Sequence, residues 1–213
     1  MAKRKSRSGL AVPQIAGISR ICISGFKSIS QETAVEVRPL TVLAGPNSSG
    51  KSSQMQPLLL LKQTLEAQYD PGSLLIDGAH VKFTSTNQFL SRSMASKEPI
   101  NTMTIKVDVG DESTKLSFSK GDDGPIEVKE MTRTGMVMAE SGKPSLRNWK
   151  IRANDSSDDL RKTFQGLKAH HPFIEEKRAK FSVVRERCFL SATASIHFDQ
   201  GGATGSYYYC VTK

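Results

Sequence analysis

The chain has 213 residues, of which 37% are hydrophobic and 24% charged, and its net charge is +9. This balance is that of a globular domain with a sizeable core, so it excludes a chain that is disordered throughout. No apolar run is long enough to span a bilayer, and the basic residues 1–15 lack the apolar centre of an export signal. We therefore expect a cytoplasmic protein with a disordered basic tail and one folded part over residues 16–213.

The excess of positive charge favours an anionic partner. DNA or RNA is the first candidate, because lysine and arginine displace counterions from phosphates on binding; a solvated basic face without a partner is the alternative. Cys22, Cys188 and Cys210 are widely spaced and odd in number, which indicates neither a disulfide framework nor a zinc site. His170 and His171 are neighbours whose side chains would point in different directions, so they do not predict a shared metal site.

Taken along the chain, the hydrophobic pattern first predicts a strand over residues 18–23 and a hairpin partner over 34–37. The apolar run at 40–44, Leu-Thr-Val-Leu-Ala, predicts a buried strand. A helix should begin at the loop behind that strand and end before Asp70, and its apolar circumference predicts a place between two layers. Pro57 removes one backbone hydrogen bond, which predicts a kink or a loosened turn.

The second half of the sequence is mostly strand-like. An antiparallel meander is predicted within residues 96–140, after a core part at 16–95. The predicted strands are residues 74–76, 102–109, 115–118 and 126–128.

A helical segment with a terminal hairpin is predicted over residues 141–213. Its polar beginning, 141–157, reads as a connection to a helix over 158–169. Residues 172–187 are ambiguous between helix and strand. The closing hairpin is expected over residues 189–198 and 207–211.

Residues 45–52 read Gly-Pro-Asn-Ser-Ser-Gly-Lys-Ser, a complete G-x-x-x-x-G-K-S phosphate-binding loop directly behind the apolar run. Gly45 and Gly50 let the backbone turn tightly, so that successive N–H groups form a nest for phosphates. The Lys51 ammonium should bridge the β- and γ-phosphates, and the Ser52 hydroxyl should ligate Mg²⁺. The alternative is an ordinary surface turn, since glycine, serine, asparagine and proline favour turns generally.

Two elements, Gly-Phe-Lys-Ser-Ile at 25–29 and Gly-Pro-Asn-Ser-Ser-Gly-Lys-Ser-Ser at 45–53, extend this evidence. Together they resemble the amino-terminal part of the ABC-type AAA ATPases, the group that holds the SMC and RecF heads, the OLD nucleases and several phage-defence ATPases. The resemblance covers about the first ninety residues. It implies an α/β P-loop lobe with an appended antiparallel sheet, and ATP with Mg²⁺ as ligands.

The resemblance also implies a set of nucleotide-contacting residues. Lys27 would lie near the triphosphate, although a surface lysine after a strand is the alternative reading. The residues expected around the phosphates are Gly45, Asn47, Ser48, Ser49, Gly50, Lys51, Ser52 and Ser53.

Two hydrolytic elements of that group are not found in the sequence. They are an apolar strand that ends in Asp-Glu, which serves the metal and the attacking water, and a Ser-Gly-Gly signature from a second head. Asp77 follows Leu-Leu-Ile but precedes glycine, and residues 140–143 carry a single glycine. Gln56 and Gln63 are candidates for a metal-sensing glutamine, with an exposed helix face as the alternative.

The sequence thus predicts a lobe that binds ATP and works with a second ATPase half or a second copy of the chain. Whether it hydrolyses ATP stays open: the catalytic half is on another chain, or the chain is truncated, or nucleotide is bound without turnover. The alternative function is a non-catalytic module that binds nucleic acid or protein through its basic surface. A small-molecule kinase is less favoured, because no arginine-rich lid is evident.

Overall fold

The computed structural model describes residues 17–92, 100–121, 124–138, 143–167, 180–200 and 203–210. Within these ranges, the chain forms nine strands and two α-helices, and the strands make two antiparallel sheets. The strands are β1 (Ile18–Ser24), β2 (Thr33–Glu36), β3 (Thr102–Val109), β4 (Glu112–Lys120), β5 (Ile126–Met138), β6 (Pro144–Arg152), β7 (Lys180–Glu186), β8 (Phe189–Gln200) and β9 (Ala203–Cys210). The helices are α1 (Lys51–Glu66) and α2 (Ser157–Leu167).

The larger sheet has the strand order β2-β1-β3-β4-β5-β6, and all its neighbours are antiparallel. One row of apolar side chains crosses five of its strands. The register pairs these residues in the order Ile23, Ile105, Leu116, Met131 and Ile151. Each is at most 5% exposed, so this face of the sheet forms the core. The predicted meander therefore exists, and it continues through β6.

The helices and the smaller sheet β7-β8-β9 share this core. Leu60 on α1 is fully buried. Phe164 on α2 stacks on Phe181 of β7, with 6.2 Å between ring centroids. Leu190 and Ala192 on β8 are also buried. One continuous apolar cluster thus joins the parts of the chain on both sides of the meander.

The architecture differs from the predicted α/β class, because the described sheets are antiparallel and only two α-helices accompany them. The prediction of a buried strand at 40–44 was wrong. These residues form no strand, and Leu40 and Val42 are 82% and 76% exposed. A strand needs a neighbour for its backbone groups, and no described strand lies beside this segment. The predicted strand at 74–76 is also absent, and only an isolated bridge, Asp77 to Lys82, follows it.

The polar stretch 141–157 was wrongly predicted to be a connection, since it contains β6. Only Ile151 on this strand is buried, because β6 lies at the edge of the described sheet and exposes most of its side chains. The predicted helix at 158–169 is confirmed as α2, and the ambiguous segment contains β7. The two adjacent histidines and the basic tail lie outside the described residues.

Helix α1 extends unbroken through Pro57, which is buried. Only part of its circumference is buried, whereas Met55 and Leu65 are 45% and 43% exposed, so the expected place between two layers is only partly realised. In the part of the chain described here, neither helix has the length and apolar character needed to cross a membrane.

Candidate nucleotide-binding site

The phosphate loop has the backbone form that its glycines predict. Gly45, Ser48 and Gly50 have φ angles of +155°, +64° and +90°. The φ of Gly45 lies in a region that L side chains rarely adopt, so a larger residue there would strain the backbone. Asn47 and its neighbours from 45 to 49 are exposed. The loop is therefore an accessible turn, and turns of this kind can bind anions through their N–H groups.

The amino terminus of α1 is open to a ligand. Gly50 occupies the N-cap position, and no side chain there accepts a hydrogen bond from the first-turn amides. The first turn also contains no acidic residue. Four N–H groups at a helix start lack intrahelical partners, and the helix dipole adds positive potential to them. An oxyanion would satisfy these groups and that potential together.

Lys51 already lies on the loop. Its Nζ donates hydrogen bonds to the carbonyl oxygens of Gly45 and Pro46, at 2.8 and 2.7 Å. These bonds fold the side chain back across the residues that precede the helix. The ammonium is thereby placed at the loop, where it can neutralise a bound phosphate.

The two serines that follow differ in exposure. Ser52 is exposed, whereas Ser53 is only 8% exposed and faces the interior of the protein. A hard cation such as Mg²⁺ takes oxygen ligands, so the Ser52 hydroxyl fits the predicted metal role. Ser53 can contribute its backbone N–H group to the first turn, but its side chain is turned away from solvent.

The side chain of Lys27 contacts α1 at a position beyond the loop. Its Nζ donates a 2.7 Å hydrogen bond to Gln56 Oε1 and lies 4.8 Å from the centroid of the Phe83 ring. Gln56 follows Ser52 by four residues, and positions so spaced share one helix face. The structure therefore brings Lys27 to the same side of α1 as Ser52, one turn further along the helix.

Two other sequence candidates have structural roles. Gln63 is 4% exposed, and its amide bonds to the backbone of residues 75–81 through both its nitrogen and its oxygen. With its amide fully used, Gln63 has no capacity left for a metal-bound water. Asp77 is exposed and lies in the isolated bridge to Lys82.

A distant residue that the sequence did not indicate fixes the other end of α1. Arg187, in the turn between β7 and β8, donates hydrogen bonds to the carbonyl oxygens of Thr64, Leu65 and Ala67. A cation at a helix carboxyl terminus satisfies free carbonyl groups and complements the dipole. No local pattern could reveal this contact, because Arg187 lies 120 residues from Ala67 along the chain.

A glycine-rich loop that leads into a helix with an open amino terminus defines the class of P-loop nucleotide-binding proteins. Residues 17–187 match the family model described as AAA ATPase domain. The chain belongs to this AAA ATPase family, which supports a nucleotide-binding, ATPase-like function. A comparison with curated proteins finds no match.

Proposed function

We propose that this chain is the nucleotide-binding lobe of an ABC-type ATPase of the SMC, RecF and OLD group, and that it binds Mg-ATP. The observation that carries the proposal is the uncapped, acid-free start of α1 beside Lys51. In this proposal the N–H groups of residues 45–53 bind phosphate oxygens, and Lys51 neutralises their charge.

The Ser52 hydroxyl is the metal ligand that this chain would supply. A Mg²⁺ ion held by Ser52 would withdraw charge from the phosphate oxygens. Lys27 adds a second cation on the same face of α1, one turn from Ser52. The supporting fact is that Ser52 lies in the first turn of the helix that begins at the loop, and that Lys27 is hydrogen-bonded to Gln56 of the same helix.

We infer that turnover uses carboxylates from a second ATPase half, on another chain or on a second copy of this one. The support is the segment at 40–44, whose apolar side chains Leu40 and Val42 are exposed. No strand among the described residues pairs with this segment, and an apolar segment without a strand neighbour is a template for a further strand. A strand from the second half would cover these side chains and bring its carboxylates next to the loop.

Calorimetric titration of the full chain with Mg-ATP tests the nucleotide proposal. The Lys51→Ala variant should lose measurable binding, because the loop then lacks its only mobile ammonium. Lys62→Ala is the matched control, since Lys62 is an exposed lysine of the same helix paired with Glu66. Affinity of Lys51→Ala equal to that of the wild type would refute the proposal.

A second candidate function, binding of nucleic acid, rests on the groove between β6 and α2. The groove encloses about 680 Å³, and its lining includes Arg147, Lys150, Arg152 and Lys162. Arg152 also pairs with Asp155, which lowers the net charge. Clustered cations on an edge strand suit a phosphate backbone more than a specific base.

Fluorescence anisotropy with labelled DNA and RNA over a salt series tests this candidate. Binding by phosphate contacts should fall steeply with salt and should not depend on ATP. Arg147→Glu with Lys162→Glu should weaken it, whereas Lys62→Glu with Lys82→Glu, which changes the net charge equally at two exposed lysines outside the groove, should weaken it less. Equal loss in both variants would show that general charge, not the groove, determines binding.

A further inference from the structure

A tight turn at the end of β1 lies beside the phosphate loop. Phe26 and Ile29 close it with two backbone hydrogen bonds of 3.0 and 2.8 Å, which leaves Lys27 and Ser28 at its tip. Lys27 has a φ of +49°, in the left-handed region that a lysine seldom adopts. Such backbone conformations persist only where the surroundings enforce them, and they concentrate at functional sites.

The surroundings that enforce this turn are residues 89–91. The Lys27 N–H group donates to the Phe89 carbonyl at 2.6 Å. Ser91 Oγ is hydrogen-bonded to the carbonyl oxygens of Lys27 and Ile29, at 2.8 and 3.1 Å. Ser91 is 1% exposed, so these bonds are shielded from water. The tip of the turn is therefore preorganised.

This fixed tip brings a hydroxyl group to the start of α1. Ser28 Oγ lies 3.0 Å from the position that a Cβ atom would take on Gly50, the N-cap residue. Ser28 is exposed, and its hydroxyl forms no hydrogen bond with any residue in the described ranges. The Lys27 ammonium is already hydrogen-bonded to Gln56, so the Ser28 hydroxyl is the group of this turn that can contact a ligand at the loop.

We propose that the Ser28 hydroxyl donates a hydrogen bond to the phosphate chain of the nucleotide held by residues 45–52. This inference rests on the proposed nucleotide-binding function. An oxyanion at the N-cap lies within reach of Oγ, and a hydrogen bond to a charged acceptor is stronger than one between neutral groups. Ser91 then acts as a positioning residue, because it holds the backbone on both sides of Ser28.

Binding titrations of the full chain with Mg-ATP and Mg-GTP test the proposal. Ser28→Ala should raise the Kd about tenfold, the loss expected for one hydrogen bond to a charged group. The increase should be equal for both nucleotides, because the phosphate chain is common to them. Ser28→Thr keeps a hydroxyl and should bind nearly as the wild type does. Ser113→Ala is the matched control, since Ser113 pairs with Asp108 near the opposite end of β1.

The outcomes separate this proposal from the one on which it rests. If Lys51→Ala loses binding while Ser28→Ala binds as tightly as the wild type, the Ser28 contact is refuted and the nucleotide site stands. A loss confined to one nucleotide would refute the phosphate contact in favour of recognition of the base. If the wild type binds neither nucleotide, both proposals fail. Thermal unfolding of Ser28→Ala should match that of the wild type, because the side chain is exposed.

Discussion

At the scale of single residues, Gln63 shows how a polar side chain becomes part of a core. Its amide nitrogen donates to the carbonyls of Leu75 and Val81, at 2.6 and 3.1 Å. Its oxygen accepts from the N–H groups of His80 and Val81, at 3.2 and 2.9 Å. One side chain thus supplies hydrogen-bond partners to backbone groups of residues 75, 80 and 81, which lie in no regular strand.

Gln63→Ala should therefore destabilise the protein by about 2–4 kcal/mol, because several buried backbone groups lose their partners at once. Chemical denaturation followed by circular dichroism measures the free energy of unfolding. Gln68→Ala, an exposed glutamine just beyond the same helix, is the control and should change it by less than about 0.5 kcal/mol. Equal effects in the two variants would contradict the structural role of Gln63.

Cys188 should be chemically inert in the folded protein. Its side chain is fully buried, and burial raises the pKa of the thiol to about 11. Only the thiolate reacts with alkylating reagents, so at pH 8 the reactive fraction is about one in a thousand. Site-resolved mass spectrometry should find Cys188 unmodified in the native chain and modified in denaturant. Rapid alkylation of the native protein would contradict this burial.

At the scale of elements, α1 is positioned at both ends by side chains from elsewhere in the chain. The turn at the end of β1 lies against its amino terminus, and Arg187 caps its carboxyl terminus. Arg185 adds an ion pair with Asp70 just beyond the helix, at 3.2 Å. The β7–β8 hairpin thus holds the helix that carries Lys51 and Ser52.

Arg187→Ala should lower the free energy of unfolding by about 1–2 kcal/mol, since several carbonyl groups at the end of α1 lose their donor. Arg38→Ala is the control, because Arg38 is an exposed arginine whose pairing with Glu36 should contribute less than about 1 kcal/mol. Urea denaturation compares the two variants. A smaller loss for Arg187→Ala than for Arg38→Ala would rule out the capping role.

At the scale of the whole molecule, the segment at 40–44 exposes apolar side chains that a closed globular surface would cover. Val42→Lys should change the free energy of unfolding by less than about 0.5 kcal/mol, because the side chain is already 76% exposed. Val128→Lys, at a 2% exposed valine, should cost more than about 3 kcal/mol. Thermal denaturation distinguishes them. Strong destabilisation by Val42→Lys would mean that the segment is buried in the isolated chain.

Much of the fold was predictable wherever the hydrophobic pattern of the sequence matches the burial of the same residues in the structure. Strands β3 and β4 alternate apolar and polar residues around Ile105 and Leu116, and α1 follows a glycine-rich loop. Edge strand β6 was missed because only Ile151 on it is buried, so solvent exposure removed the alternation. The segment at 40–44 was wrongly predicted to be a buried strand, because an apolar run is buried only where another part of the protein covers it.

The sequence by itself predicted the phosphate loop, because residues 45–52 are contiguous and the positive φ angles of Gly45 and Gly50 are ones that glycine adopts readily. It also determined which family the chain belongs to. The tertiary structure alone decided which distant groups contact α1 and its loop: Gln56 as the hydrogen-bond partner of Lys27, Ser28 beside Gly50, and Arg187 at the far end of the helix. These contacts join residues far apart in the chain, and no local pattern encodes them.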